Sequence, residues 1–245
     1  MNTHDKITPY KNSNATKKEQ VANMFDKVSS NYDSLNRVIT FGIDIQWRKK
    51  VVALVKKTKA KTILDIATGT GDLAIMLSQN IKNAQITGLD ISAGMLEVGK
   101  NKIKNLNLSD RINMVLGDSE NIPFPDNHFD AITVSYGVRN FENLNKGLQE
   151  INRVLKPNGI FVVLETSVPT KFPFKQGYHF HCNVILPWIG KIFSKDKSAY
   201  RYLSESASLF PHGKKFNTIL NNNGFKNVSD IPVTFGVSTI YKAMK

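Results

Sequence analysis

The stretch from Lys61 to Ala74 (Lys-Thr-Ile-Leu-Asp-Ile-Ala-Thr-Gly-Thr-Gly-Asp-Leu-Ala) constrains this chain more than any other. Thr62 to Ala67 is an apolar run broken by one carboxylate, Asp65, which predicts a buried parallel strand. Gly69 and Gly71 then make a tight turn, and Asp72 to Gln79 opens an apolar-periodic helix. Strand, glycine turn and helix form the entry to a nucleotide-binding α/β sheet. Glycine at the turn lets a ligand approach backbone where a Cβ would collide.

Two ligand classes fit that entry. Gly69-x-Gly71-x-x-Ala74 matches a dinucleotide fingerprint, and Asp90, 21 residues after Gly69, stands where an NAD ribose carboxylate would. Asp65 and Asp72 argue the other way. A diphosphate gains nothing from an anion in the strand and is repelled by one at the helix start. The ammonium and sulfonium of S-adenosylmethionine both favour a nearby carboxylate. S-adenosylmethionine is therefore the preferred ligand, with NAD as its rival.

At 245 residues and 41% apolar content, one decorated globular domain is the expectation. No run is long and apolar enough for a transmembrane helix, and the polar N-terminus is no secretory signal. Cys182 is the one cysteine, which excludes disulfides within the chain and multi-cysteine metal sites; no metal is expected. That cysteine usage fits a reducing cytoplasm. The net charge of +13 is uneven: residues 1–60 carry +7, 169–245 carry +8, and the segment between them −2. Basic flanks serve solubility, an anionic membrane surface or nucleic acid.

Residues 1–17 look like a disordered tail. Residues 18–60 form a helical cap: one helix from about Lys18 to Val28, a polar break at Ser29–Ser34, and a second helix over Asp44–Lys57. In the second, Ile45, Trp47, Val51, Leu54 and Val55 oppose Arg48, Lys49, Lys50, Lys56 and Lys57, which predicts a core-packed helix with a solvated basic face. Residues 61–245 make the main domain. Its strands are expected at Thr62–Ala67, Gln85–Asp90, Ile112–Leu116, Phe129–Ser135 and Ile160–Glu165, with a final pair at Phe225–Asp230 and Phe235–Lys242. Residues 169–212, rich in aromatics and then helical, read as an insertion covering an apolar pocket.

Asp65, Asp90 and Asp118 sit at or near successive strand ends, where open α/β sheets bind ligands. Asp65 with the glycine turn would face the methionine part. Asp90 would accept from two ribose hydroxyls, and Asp118, with Ser119 beside it, from the adenine amine. Each aspartate alone is as well explained as a cap or turn residue; three in series are harder to explain that way.

Leu64-Asp-Ile-Ala-Thr-Gly-Thr-Gly-Asp72 and Gly88-Leu-Asp-Ile-Ser92 resemble the class I S-adenosylmethionine-dependent methyltransferases. Further stretches narrow the resemblance to the ubiquinone/menaquinone biosynthesis C-methyltransferases: Phe25–Asp33 with Trp47-Arg48, Pro123–Asp126 with Phe129-Asp130, Ser135–Asn140, and Tyr200–Ser206. It covers about residues 18 to 243. The resemblance implies a Rossmann-like α/β fold: a mostly parallel seven-stranded sheet with an antiparallel C-terminal strand, a helical N-terminal cap and a helical insertion before the last strands. It places cofactor contacts on Thr70, Asp90, Asp118, Ser119 and Ser135. Family members often carry Asn-Ala where this chain has Asp118-Ser119. The implied substrate is a reduced, polyprenylated quinone precursor, with demethylmenaquinol ahead of a polyprenyl methoxybenzoquinol although no residue decides between them. Peripheral membrane contact and a homo-oligomer are compatible with it.

Methyl transfer to a ring carbon needs alignment and help with a phenolic proton. Arg139 and His181 are the catalytic candidates, with His179, Tyr32 and Tyr178 behind them. The resemblance favours Arg139, which is too basic to act as a base and suits stabilising a phenolate. The alternative for Arg139 is an ion pair with Glu142 or Glu165, and for His181 an ordinary hydrogen-bonded histidine. A nucleic-acid methyltransferase is disfavoured, since neither an Asn/Asp-Pro-Pro-aromatic stretch nor a Pro-Cys nucleophile is present. A non-catalytic interaction module leaves the carboxylate series without a purpose.

Overall fold

The computed structural model describes residues 6–180, 184 and 197–245. Its helices are α1 (Lys17–Val28), α2 (Tyr32–Thr40), α3 (Asp44–Lys56), α4 (Asp72–Asn80), α5 (Ala93–Asn105), α6 (Leu144–Val154), α7 (Phe174–Phe180), α8 (Lys197–Leu209) and α9 (Lys214–Asn222). Its strands are β1 (Thr62–Ile66), β2 (Gln85–Asp90), β3 (Ile112–Leu116), β4 (Phe129–Ser135), β5 (Leu155–Thr166), β6 (Lys226–Val233) and β7 (Ser238–Met244). They form one seven-stranded sheet in the order β3-β2-β1-β4-β5-β7-β6. Neighbours from β3 to β5 are parallel, and β7 runs antiparallel to both β5 and β6.

Alternation along the strands builds a core on each face of the sheet. Ile63, Ile86, Ala131 and Val162 point to one side and meet Val51 and Val55 of α3 and Leu77 of α4. Leu64, Ile132, Phe161 and Val163 point to the other and meet Leu148 and Ile151 of α6 and Phe216 and Leu220 of α9. The order of strands reverses between β1 and β4. The crevice beyond their carboxyl ends is where such sheets hold ligands.

The N-terminal cap lies over that crevice, held by polar ties. Thr16 and Glu19 form a capping box that starts α1. Asp26 accepts from the Ser92 hydroxyl at 2.6 Å and from the Gly94 amide at 2.9 Å. Asp33 accepts from the Thr70 hydroxyl at 2.5 Å and from Lys102 at 2.8 Å, and Arg37 pairs with Asp72 at 2.5 Å.

Four expectations need correcting. The polar break after α1 is a 3-10 turn, Ser29–Asn31, followed by the nine-residue helix α2, whose Leu35 is buried. Leu35, Val38 and Ile39 carry the helical spacing there, but flanking polar residues mask it. In the segment expected to be a disordered tail, Ile7 and Tyr10 pack against Val21, Met24 and Tyr202. Arg48 is buried (6% exposed) rather than on the solvated face of α3, where Lys49 and Lys50 are exposed. The last two strands run further than expected. Edge strand β6 tolerates Pro232, which has no amide to donate to the ladder.

Candidate active site

Two adjoining cavities open at the carboxyl ends of the strands. The first is walled by the glycine turn, the ends of β2, β3 and β4, and α1. Ala67 (φ 51°), Gly69 (φ 58°) and Gly71 (φ 79°) all take the left-handed conformation, which turns the chain sharply from β1 into α4. Asp90, 8% exposed, accepts from the Gly69 amide at 2.7 Å and the Ser92 amide at 2.9 Å. Burial raises its pKa, an effect those amides partly offset. Asp118 accepts from Lys18 of α1 at 2.5 Å and from the Glu120 amide at 2.9 Å. The buried Ser135 hydroxyl oxygen at the end of β4 has no protein partner.

The charges on this wall discriminate between ligand classes. Asp90, Asp118, Glu120 and Glu142 line the cavity, and Lys18 is the lone cation among the described lining residues. A diphosphate placed there would meet four carboxylates. A ligand carrying an ammonium and a sulfonium is attracted by the same wall.

The second cavity is larger, about 680 Å³, open to solvent, and mostly apolar. Met24, Leu35, Ile39, Trp47, Phe174 and Leu203 supply much of its lining. It meets the first cavity at Phe25, Tyr32 and Tyr136, which line both. Arg139 enters it from a 3-10 turn, Val138–Asn140, just after β4. Its Nη1 donates to Glu165 Oε1 at 2.6 Å and to the Tyr136 carbonyl at 2.9 Å. Burial disfavours the guanidinium charge, yet Glu165, Tyr32 and Tyr202 outweigh that effect and hold its pKa above the ordinary value. Its buried Nε–H lacks a protein acceptor. Tyr202 of α8 donates to Asn140 Oδ1 at 3.0 Å, fastening that turn from the other side.

A model of the ubiE/COQ5 methyltransferase family matches residues 13–245. The chain belongs to that family. It is 43% identical over 241 residues to the demethylmenaquinone methyltransferase of Bacteroides fragilis, covering 98% of each chain. It is 43% identical over 230 residues to the ubiquinone/menaquinone biosynthesis C-methyltransferase UbiE of Geotalea daltonii, covering 94% of this chain and 97% of that one. Among solved structures, a putative S-adenosyl-L-methionine-dependent methyltransferase from Methanococcus maripaludis superposes with a TM-score of 0.58 at 22% identity, covering 96% of each chain, and shares the fold.

The protein is an S-adenosylmethionine-dependent methyltransferase, and the first cavity fits that cofactor: an acidic wall, an anchored carboxylate at a strand end and an unpartnered serine hydroxyl. Of the residues expected to bind it, Gly69, Asp90, Asp118, Ser119 and Ser135 line the cavity. Asp65, Thr70 and Gly71 do not. Asp65 is fully enclosed, accepting from the Thr68 and Thr133 hydroxyls at 2.7 and 2.6 Å, so one oxygen serves the turn and the other ties β1 to β4. Gly88 makes room for this: a Cβ there would stand 2.9 Å from Thr68 Cγ2. Thr70 is spent on Asp33, and Gly71 packs toward Met114 and Ile103. His181 lies outside the described residues, as does the His179 side chain. Tyr32 and Tyr178 line the second cavity. No group of three potential metal-ligating side chains occurs among the described residues.

Sequence reasoning missed Lys18, Tyr136 and Arg48. Tyr136 had a signal: it lies between Ser135 and Gly137 at a strand end and takes φ 59°, unusual for a bulky residue. Lys18 had none, because its partner Asp118 is 100 residues away.

Asp65 makes stability pH-dependent. Burial pushes its pKa up to about 6, against a lowering by the two threonine hydroxyls. The folded protein thus holds this proton more tightly than the unfolded chain does. The contribution is fully present below about pH 4 and is lost as pH rises through about 6, by about 3 kcal/mol. Asp65→Asn is expected to flatten the fall in urea midpoint between pH 4 and 6. A fall equal to that of the wild type would assign it to another group.

Proposed function

We propose that this enzyme methylates a ring carbon of a reduced, polyprenylated quinone precursor, with demethylmenaquinol as the substrate and menaquinol as the product. The single observation behind this reading is the meeting of an acidic cofactor cavity with a large apolar one at Phe25, Tyr32 and Tyr136, beside a buried guanidinium. An apolar cavity of that size suits a ring with a hydrocarbon tail. The curated relatives named above carry names that agree with it.

The cofactor supplies a methyl group on a positive sulfur. Asp90 takes the ribose hydroxyls, Asp118 and Ser119 the adenine edge, and the Gly69 turn the amino-acid end. Tyr32 and Tyr136 hold the quinol ring at the junction, so carbon, methyl and sulfur align. Arg139 stabilises the phenolate whose charge makes the adjacent carbon nucleophilic. With the cofactor bound, its positive sulfur would release the methyl to that ring carbon and become neutral, and the ring carbon's proton would pass to water. The described residues of the insertion, 169–180 and 197–212, cover the substrate, with Pro173, Phe174, Tyr178, Leu203 and Ala207 on the cavity side.

The mouth of the apolar cavity faces a membrane in this reading. Phe41 (73% exposed), Phe235 (69%) and Phe174 line the cavity, and Phe172 (79%) adjoins them in sequence, with Lys171 and Lys175 beside it. Phe174 and Phe235 stack at 3.8 Å between ring centroids. No described helix is long and apolar enough to cross a membrane. The contact in this reading is peripheral, made by these exposed aromatics and the lysines beside them. Phe41→Ser with Phe235→Ser is expected to cut sedimentation with anionic vesicles about tenfold. Unchanged sedimentation would move the contact elsewhere.

The test of the function is methyl transfer from labelled cofactor to reduced demethylmenaquinol and, in parallel, to a reduced polyprenyl methoxybenzoquinol. Label in the first alone supports the reading; label in both makes cellular supply the selector. Label in neither, with tight S-adenosylhomocysteine binding, removes it.

A further inference from the structure

The apolar cavity contains a second buried cation. Arg48, from α3, lines it opposite in sequence to Arg139, and these two arginines and Asp44 are the charged groups among its described lining residues. Arg48 is 6% exposed. Its Nη1 donates to Asp44 Oδ2, one helical turn back, but the same oxygen also accepts from Arg37. Asp44 Oδ1 is taken by the Thr40 hydroxyl at 2.8 Å. One carboxylate thus serves two guanidinium groups, of which Arg37 has Asp72 as a second partner and Arg48 lines the cavity. Arg139, by contrast, has Glu165 as its own partner.

Both arginines converge on one ring. The guanidinium carbon of Arg48 lies 5.9 Å from the Tyr136 ring centroid and that of Arg139 lies 6.0 Å from it. Tyr136 stands at the junction where the methyl is delivered, in a left-handed backbone conformation a tyrosine rarely takes. Burying a second guanidinium in an apolar cavity is costly unless something there uses it. Packing of α3 does not require it, since Trp47, Val51 and Val55 already serve the core.

We infer that Arg48 orients the substrate by donating to the ring oxygen para to the one that Arg139 stabilises. This rests on the quinol reading above and deepens it. The two oxygens of a para-quinol are not equivalent in the reaction. Only the oxygen adjacent to the accepting carbon pushes charge onto that carbon. The far oxygen is meta to it and contributes no activation, so it serves as a handle. Two donors on a para pair of acceptors fix the oxygen-to-oxygen axis of the ring beside the methyl, and the tail, held on one side of that axis, selects which carbon faces it.

The test pairs a variant with a substrate change. Wild type and Arg48→Gln are assayed on reduced demethylmenaquinol and on the analogue with hydrogen in place of the far oxygen. Losing one charge-assisted hydrogen bond is expected to raise KM about 10- to 100-fold for Arg48→Gln on the free quinol. The analogue should impose a similar loss on wild type and little further loss on the variant. The pH profile of kcat and the affinity for S-adenosylhomocysteine should not move. Losses that multiply, or a variant that loses cofactor binding, would overturn the role. Arg48→Lys, which keeps charge against Asp44, carries the same comparison if the glutamine variant does not fold. A wild-type enzyme inactive on the free quinol would instead sink the quinol reading itself.

Discussion

Arg139→Ala is expected to lower turnover by about 10²-fold or more while leaving S-adenosylhomocysteine affinity nearly unchanged. Arg139 lines the apolar cavity and not the cofactor cavity, so the cofactor should not register its loss. Stability will register it. Glu165 is fully buried, and its Oε2 already lacks a protein partner. Removing the guanidinium strands that carboxylate, at about 3–5 kcal/mol. A fall in activity could therefore report unfolding alone. The double variant Arg139→Met, Glu165→Leu separates the two effects, because an apolar pair of similar volume costs little. It should recover most of the thermal midpoint and none of the turnover. Recovery of both would make the ion pair a structural strut and remove Arg139 from the chemistry.

Asp90→Ala should raise the S-adenosylhomocysteine Kd by about 10²- to 10³-fold, measured by calorimetry. The carboxylate is proposed to accept from two ribose hydroxyls, and hydrogen bonds to a charged group contribute about 1.5–3 kcal/mol each. It also tethers the Gly69 amide at 2.7 Å, so its loss frees the turn that shapes the cavity. Asp90→Asn keeps an oxygen for one of these duties and should fall between the two. Affinity within threefold of wild type in the alanine variant would show that Asp90 fastens the Gly69 and Ser92 amides and does no more.

These two residues also mark how far the sequence could be followed. Asp90 ends a strand whose apolar pattern and glycine neighbour are local signals, and it lines the cavity wall. Asp65 carries the same local signal yet lies away from that wall, enclosed beneath the turn. Nothing near it in sequence says that Thr133, 68 residues later, would take one of its oxygens. Arg139 showed the same ambiguity: both roles weighed for it, phenolate stabiliser and partner of Glu165, were written in the chain, and the ion pair is formed.

The sequence by itself determined the α/β sheet, the glycine turn and the series of strand-end carboxylates, because each depends on the periodicity and turn chemistry of a few adjacent residues. The tertiary structure alone decided that Arg48 is inside, that Lys18 reaches Asp118, and that Phe25, Tyr32 and Tyr136 form a junction between two cavities. Those facts arise where α1, α2 and α3 fold across the ends of strands far away in the chain. Contacts across such separations are set by packing, which no local pattern encodes.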